Sequence, residues 1–491
     1  MEAKEGLRDP STIFYQHQYI RRGIIASYWI VIIFAIPLWW QTTSIERLSL
    51  PTTDVNAQAG QQLKIPVRVA LDSSFSKDTP DFGSQLQTLL QKTTASTLDI
   101  SVTERTRDKP SGDVYEVIPS NSEVTVEGRM LQYPTRSATP MQLAETLSSL
   151  LLPSSHRDHR VAQYAPRYRL SFTLLNEDAS DGQVISGWDV SRAISSHIKP
   201  ILSSLSVLHN FTIESQVQFY APLAFEPQQL PERGVHGLTP EDLTVFINSA
   251  EWTLSSSSSN DPVLHFLLFV PSASRRPLVI LDANGEPSDS NAFLIPQWGG
   301  IVIANLPGSP SEIQLSAQQL ASSFSAFSQQ LLTLLGVPRL PPGISTANSG
   351  LAITPWQIDA LLRQRTSENI ARTRDTLRST VSLVDQIENM PVGEKVRDDV
   401  RDALKTLGSL WHSDVVSANL SSILESSSRA LTLSQRAFFH PGMLALLYFP
   451  AEHKYAVYTP LFASAIIPLI AAAAREVAAW RRQRRAAQNG A

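Results

Sequence analysis

Two stretches of this chain are apolar on every side of a helical wheel. Residues 23–40 (GIIASYWIVIIFAIPLWW) run for 18 positions without a charge, and residues 455–474 (YAVYTPLFASAIIPLIAAAA) run for 20. At about 1.5 Å per residue, helices of that length cover roughly 30 Å of hydrocarbon. Trp29, Trp39, Trp40, Tyr455 and Tyr458 carry amphipathic rings of the kind that settle at membrane interfaces. A pair of buried core helices is the soluble alternative, and the missing polar face argues against it. A cleaved signal peptide fits the first stretch badly: 22 residues precede it, and bulky Trp39, Trp40 and Gln41 stand where small residues mark cleavage. The pattern predicts a tail over 1–22, a span over 23–40, a second span over 455–474 and a tail over 475–491.

Between the spans the periodicity changes twice. From residue 41 to about 350, short β-rich runs alternate with amphipathic helices. Strands are predicted at 65–71, 98–102, 114–118, 168–175, 212–220, 263–270, 278–281 and 300–304. That alternation predicts a layered α/β domain, a mixed sheet covered by helices, and any division into two subdomains is expected near 180–235. From 351 to 454 the texture is helical. Ile370, Leu377, Val381, Val384 and Ile387 keep a stripe that Pro391 ends, and helices over 393–407 and 413–438 complete a hairpin or small bundle.

Helix starts share one device. Thr139-Pro140, Thr239-Pro240, Ser309-Pro310 and Thr354-Pro355 each place a hydroxyl at the cap and a proline at the first helical position. An amide or acid follows three residues after the cap, and Ser186 with Asp189 is a proline-free case. These are folding signals and carry no functional information.

Charge orients the spans. Within about 15 residues of them, the outer flanks hold eight basic residues: Arg8, Arg21, Arg22, Arg475, Arg481, Arg482, Arg484 and Arg485. The inner flanks hold two, Arg47 and Lys454. Both tails are therefore expected in the cytosol and the region between the spans in the lumen. Net charge is −4, with +1 in the first 22 residues and +4 in the last 17, so the middle carries about −9. A nucleic-acid partner has no basic footprint here. Two sequons, at Asn210 and Asn419, fall in the lumenal part as candidate glycosylation sites.

The search for chemistry returns little. The chain has no cysteine, which removes disulfides, thiolate metal sites and thiol nucleophiles. Gly-x-Ser-x-Gly, His-Glu-x-x-His and the glycine-rich nucleotide loops do not occur. His156 and His159 lie close enough in sequence to share a metal, although a polar loop is the simpler setting for them. Asp398, Asp399 and Asp402 cluster with Arg397 and Arg401, as on a solvated helix face. No catalytic, cofactor or metal residue is assigned. A Ser/His/Asp site assembled from distant residues stays open, because triads need no sequence proximity.

Three stretches resemble one family. They are Ser27-Tyr28-Trp29-Ile30-Val31 through Pro37-Leu38-Trp39-Trp40 to Thr42-Thr43-Ser44-Ile45-Glu46-Arg47 and Leu50-Pro51; Gln297-Trp298-Gly299-Gly300-Ile301; and Phe439-His440-Pro441 through Tyr448-Phe449-Pro450 to Glu452-His453-Lys454-Tyr455-Ala456-Val457-Tyr458. Their content and order resemble the PIG-S family over nearly the whole chain. The resemblance implies a non-catalytic scaffold subunit of the GPI transamidase in the endoplasmic-reticulum membrane. It also implies a PIG-K-like cysteine-protease subunit, PIG-T, PIG-U and a GAA-type subunit as partners. A membrane-anchored lumenal hydrolase and a free-standing lumenal tether or receptor are the competing readings. In the second span, Ala456, Thr459, Ala463 and Ala471 fall on one helical side, as small residues do where membrane helices pack closely. Pro460 and Pro468 are expected to kink that helix.

The charge asymmetry predicts that tags at either end are digested by protease added to sealed microsomes while residues 42–454 are protected. Protection of either tag overturns the orientation.

Overall fold

A computed structural model describes residues 17–43, 46–76, 81–94, 98–105, 114–120, 123–135, 139–152, 160–181, 184–254, 259–305, 313–347, 352–387, 390–411, 419–444 and 451–489. The chain forms two compact units. One comprises Gly60–Arg372 and Thr406–Ala430; the other comprises Met1–Ala59, Thr373–Lys405 and Leu431–Ala491.

The first of these units holds two main sheets. A six-stranded mixed sheet runs in the order Ile344–Thr346, Val124–Glu127, Met130–Pro134, Val114–Ser120, Ile65–Leu71 and Leu98–Glu104. Val67, Val69 and Leu71 project into a core with Phe82, Leu86 and Leu90 of helix Phe82–Thr94 and with Leu143 and Leu147 of helix Pro140–Leu151. The helices bury their i, i+4 faces and leave polar residues outside.

The second sheet has five strands in the order Ala292–Ile295, Gly299–Ile303, Val263–Val270, Arg167–Asn176 and Asn210–Gln218. All neighbours are parallel except the first pair. Its central strands are apolar nearly throughout because both faces are covered. Leu170, Phe172, Leu174 and Phe266 pack under Phe324, Phe327 and Leu331 of helix Ala321–Leu334. Leu175, Leu267, Phe269 and Ile303 point the other way, toward Phe246 and Trp252.

All eight predicted strands are present within a few residues. The sheet changes between Pro134 and Arg167, before the 180–235 region where a subdomain division was expected. The division is hard to read because Ile344–Thr346 returns to the first sheet beside Val124–Glu127, long after the second has formed. The caps at Thr139, Thr239 and Thr354 form, with Gln142, Asp242 and Gln357 donating a backbone N–H to the respective hydroxyl. Ser309 lies outside the described residues. Ser186 belongs to strand Ile185–Trp188, and Asp189 itself caps helix Val190–Ala193 by accepting from the Arg192 amide. A carboxylate at the cap satisfies the orphan amide without a hydroxyl upstream.

The turn Gln297–Trp298 joins strand Ala292–Ile295 to strand Gly299–Ile303 and explains the run found in the sequence. Gln297 takes a positive φ of 61°. Trp298 stacks on His265 at 4.5 Å. A Cβ on Gly299 would stand 2.0 Å from the His265 carbonyl oxygen, and one on Gly300 2.0 Å from Gln330 Oε1. Only glycine lets the strand lie this close.

The helix Pro355–Gln386 meets the first sheet through a buried carboxylate. Asp359 accepts from the Tyr115 hydroxyl at 2.7 Å and from Arg129 at 2.7 and 3.0 Å. Arg363, one turn on, donates to the Tyr115 hydroxyl and to the Leu151 carbonyl at 3.2 Å. Trp356 packs on the Tyr115 ring at 4.4 Å. Further along the same helix Asn369 donates to Ser427 of helix Leu420–Phe438 at 3.3 Å, with both side chains buried.

In the other unit the exit from the first span is pinned locally. Glu46 and Leu48 exchange backbone hydrogen bonds with Val392 at 2.9 and 3.0 Å. Arg47 donates to the Val384 carbonyl at 2.7 Å, which places a cation at the end of helix Pro355–Gln386. Asp399 was expected on a solvated face together with Asp398 and Asp402. It is instead buried and bonded by Arg436 of helix Leu420–Phe438, with Nε at 2.7 Å, because the helix Glu394–Ser409 turns that side inward.

Replacing Asp359 with Ala removes the acceptor of the buried Tyr115 hydroxyl and of the half-buried Arg129 guanidinium, so a loss of about 1–3 kcal/mol is expected. Denaturant unfolding of the purified chain measures it, and a loss under about 1 kcal/mol contradicts the role given to this carboxylate.

Candidate functional site

In a parallel sheet, ligands bind beyond the carboxyl ends of the strands. The five-stranded sheet spends its polar groups there on itself. At the end of strand Arg167–Asn176, Asn176 donates to the carbonyls of Ile185 and Gln218 at 3.0 and 3.2 Å and accepts from the Ile185 amide at 2.9 Å. Buried Glu177 accepts from the Ser272 amide at 2.8 Å and pairs with Arg275, which also reaches Glu226. Asn176 and Glu177 thus tie strand ends together.

The buried histidines are equally committed. His209 has Nδ1 2.6 Å from the Ala165 carbonyl and rings of Tyr164, Tyr168 and Phe211 around it. Burial pushes its imidazole down to about 4, against a weaker upward pull from that carbonyl. Burial likewise holds His265 at about 4, with Glu214 opposing. Both rings are neutral at physiological pH. His265 lies in register with Ser171, whose hydroxyl donates to the Leu254 carbonyl at 2.8 Å, and Ser171 lies in register with Glu214. Among the described residues no group of three or more His, Asp or Glu is placed to hold a metal. His156 and His159 lie outside the described residues.

The two sequons are accessible. Asn210 opens the edge strand Asn210–Gln218 with its side chain exposed, and Thr212 is exposed too. Exposed Asn419 directly precedes helix Leu420–Phe438, where its carbonyl accepts from the Ser422 hydroxyl at 2.7 Å.

The membrane pair is where an unexpected site emerges. Helices Gln18–Thr43 and Ala451–Asn489 carry membrane-length apolar segments at Tyr19–Trp39 and Phe462–Arg482. The second segment lies nearer the C-terminus than 455–474, within a helix that runs unbroken through Pro460 and Pro468 and on past Arg475. At one end Trp39 meets Tyr458 and Phe462 edge-on at 5.8 and 5.4 Å. At the other, Glu476 is held by Arg21 and by Arg22, the latter at 3.1 Å. Trp29 was expected at an interface. It sits midway along its span and lines a groove with Ile470, Ala473 and Val477.

Of the predicted small-residue side, Ala456, Thr459 and Ala471 are exposed, whereas Ala463 is partly covered beside Trp39. The face turned to the first span is carried by other residues, among them Tyr458 and Glu476. Sequence reasoning missed the Arg21–Arg22–Glu476 contact. Its one available signal was a lone acid in a basic flank.

Comparison with known proteins follows this geometry. The family described as phosphatidylinositol-glycan biosynthesis class S protein, PIG-S, matches residues 26–128 and 121–483. The chain is 28% identical to the GPI-anchor transamidase component PIGS of Mus musculus, across 90% of this chain and 92% of that protein. It is 29% identical to the GPI transamidase component PIG-S homolog of Schizosaccharomyces pombe, across 95% and 85%. It is 25% identical to the GPI transamidase component GPI17 of Saccharomyces cerevisiae, across 88% and 87%.

The histidines set a pH dependence. The unfolded chain takes up protons near 6.5 that folded His209 and His265 refuse until about 4. The stability they contribute is therefore complete above about 6.5 and lost as pH falls toward 4. Thermal melts at pH 7 and 5 are expected to lose up to about 2 kcal/mol per histidine, and the His209→Gln, His265→Gln double variant flattens the profile. A variant profile as steep as wild type contradicts the assignment.

Proposed function

The chain belongs to the PIG-S family, and from that premise we propose that it serves as a non-catalytic, membrane-anchored scaffold subunit of the GPI transamidase. The observation that carries this is full-length similarity to proteins named as components of that enzyme, in mammals and yeasts alike. Two features of the chain support the non-catalytic part. It contains no cysteine, so a thiol nucleophile has to come from another subunit. The carboxyl end of its five-stranded sheet is filled by its own ion pairs and amide bonds.

On this reading the spans hold the chain in the endoplasmic-reticulum membrane with both tails cytosolic, and residues between them work in the lumen. Partners are a PIG-K-like cysteine-protease subunit, PIG-T, PIG-U and a GAA-type subunit. Asn210 and Asn419 are the positions open to lumenal glycosylation. The exposed side of Ala456, Thr459 and Ala471 is offered to a neighbouring membrane helix, with Ala463 turned partly toward the first span. Lipid gives helices no hydrophobic reason to associate, so close approach over small side chains supplies the attraction.

Isolation of the tagged chain in mild detergent is expected to recover the transamidase subunits. Changing Ala456, Thr459 and Ala471 to Leu keeps the segment apolar, so the variant inserts but loses most of its partners. Recovery of a lone wild-type chain with esterase or peptidase turnover overturns the scaffold role. Undiminished recovery by the Leu variant removes only the packing role of this face.

A further inference from the structure

The groove between the two spans continues into the basic tail. Trp29, Ile470, Ala473, Ala474 and Ala478 line it, with Arg481 beside them, around about 530 Å³ of open space. The helix Ala451–Asn489 continues unbroken beyond Arg481. Arg485 therefore follows one turn after Arg481, on the same side as Ala474 and Ala478. Trp480 is anchored beside this region, with the Arg484 guanidinium 4.1 Å from its ring centre.

Local charge is strongly one-sided. Glu476 is the only acid from residue 475 onward, and Arg21 and Arg22 already hold it. No acid occurs between residues 17 and 22. The groove thus combines an apolar trough at membrane depth with guanidinium groups at the water boundary.

We propose that this groove binds an anionic phospholipid, with an acyl chain lying along Trp29, Ala473, Ala474 and Ala478 and the phosphate paired with Arg481 and Arg485. Small side chains leave room for the chain, and basic pockets between membrane helices at the cytosolic side attract anionic head groups. Arginine suits the phosphate because its planar donors bind two oxygens at once. A free phosphate would find the same cations but gain nothing from the trough. The site is independent of any role in the transamidase.

The full-length chain, reconstituted in phosphatidylcholine vesicles containing a minor share of phosphatidylinositol, is extracted in mild detergent and its bound lipid measured by mass spectrometry. Wild type is expected to retain phosphatidylinositol several-fold above its share in the vesicles. Arg481→Gln with Arg485→Gln brings retention down to that share. Ala474→Leu with Ala478→Leu fills the trough, leaves every charge in place and lowers retention as well. Arg482→Gln removes a charge from the same tail outside the groove and leaves retention unchanged. Equal loss in Arg482→Gln reduces the effect to diffuse attraction and overturns the site. Wild-type retention in the Leu pair assigns the groove to a packed helix and overturns it too. Should the Leu pair fail to insert, the comparison of the Arg481/Arg485 and Arg482 variants decides alone.

Discussion

A carboxylate removed from water must be surrounded by donors, and Asp359 imposes that demand at the joint of its unit. Tyr115 lies in the centre of the six-stranded sheet and Arg129 in the turn before strand Met130–Pro134. Both bond Asp359 near the start of the helix Pro355–Gln386, while Arg363 ties the next turn to the same phenol and to the end of helix Pro140–Leu151. Tyr115 and Arg129 together give the buried carboxylate three hydrogen bonds, and losing both would leave it unpaired at a cost of several kcal/mol. Hydrophobic contact alone would let the helix slide on the sheet; these bonds select one register.

The helix pair is held near both of its ends. At one of them Glu476 is paired with Arg21 and Arg22. The aromatic contacts of Trp39 hold the opposite end. A groove lined by Trp29, Ile470 and Ala473 runs on to Arg481. Span pairing here rests on its ends, which keeps the small-residue side of the second helix open.

Several residues in the runs that resemble the family are fixed by geometry. Gly299 and Gly300 sit where a side chain cannot fit, and Trp298 covers the otherwise exposed ring of His265. Arg47 caps a helix end through a backbone carbonyl. Gly299, Gly300, Trp298 and Arg47 all fall in the runs that resemble the family. At the end of strand Arg167–Asn176, Asn176 and the Glu177–Arg275 pair serve as structural ties.

Legibility in the sequence followed the range of the forces involved. Periodicity along consecutive residues determined the two spans, the long strands, the three bundle helices and the caps at Thr139, Thr239 and Thr354, because those signals are local. Strands such as Gln228–Leu230 and Ile344–Thr346 stayed hidden, being three residues long and defined only by a distant partner. The burial of Asp399, the role of Asp359 and the pairing of Glu476 were equally invisible, since each depends on residues far away in the chain. A charge pattern reads the same whether it faces water or a partner helix. Residue types and local spacing thus settled what kind of elements this chain makes and that it supplies no thiol. Which polar groups are buried, and which face of each membrane helix remains free, was decided only when tertiary packing brought distant segments together.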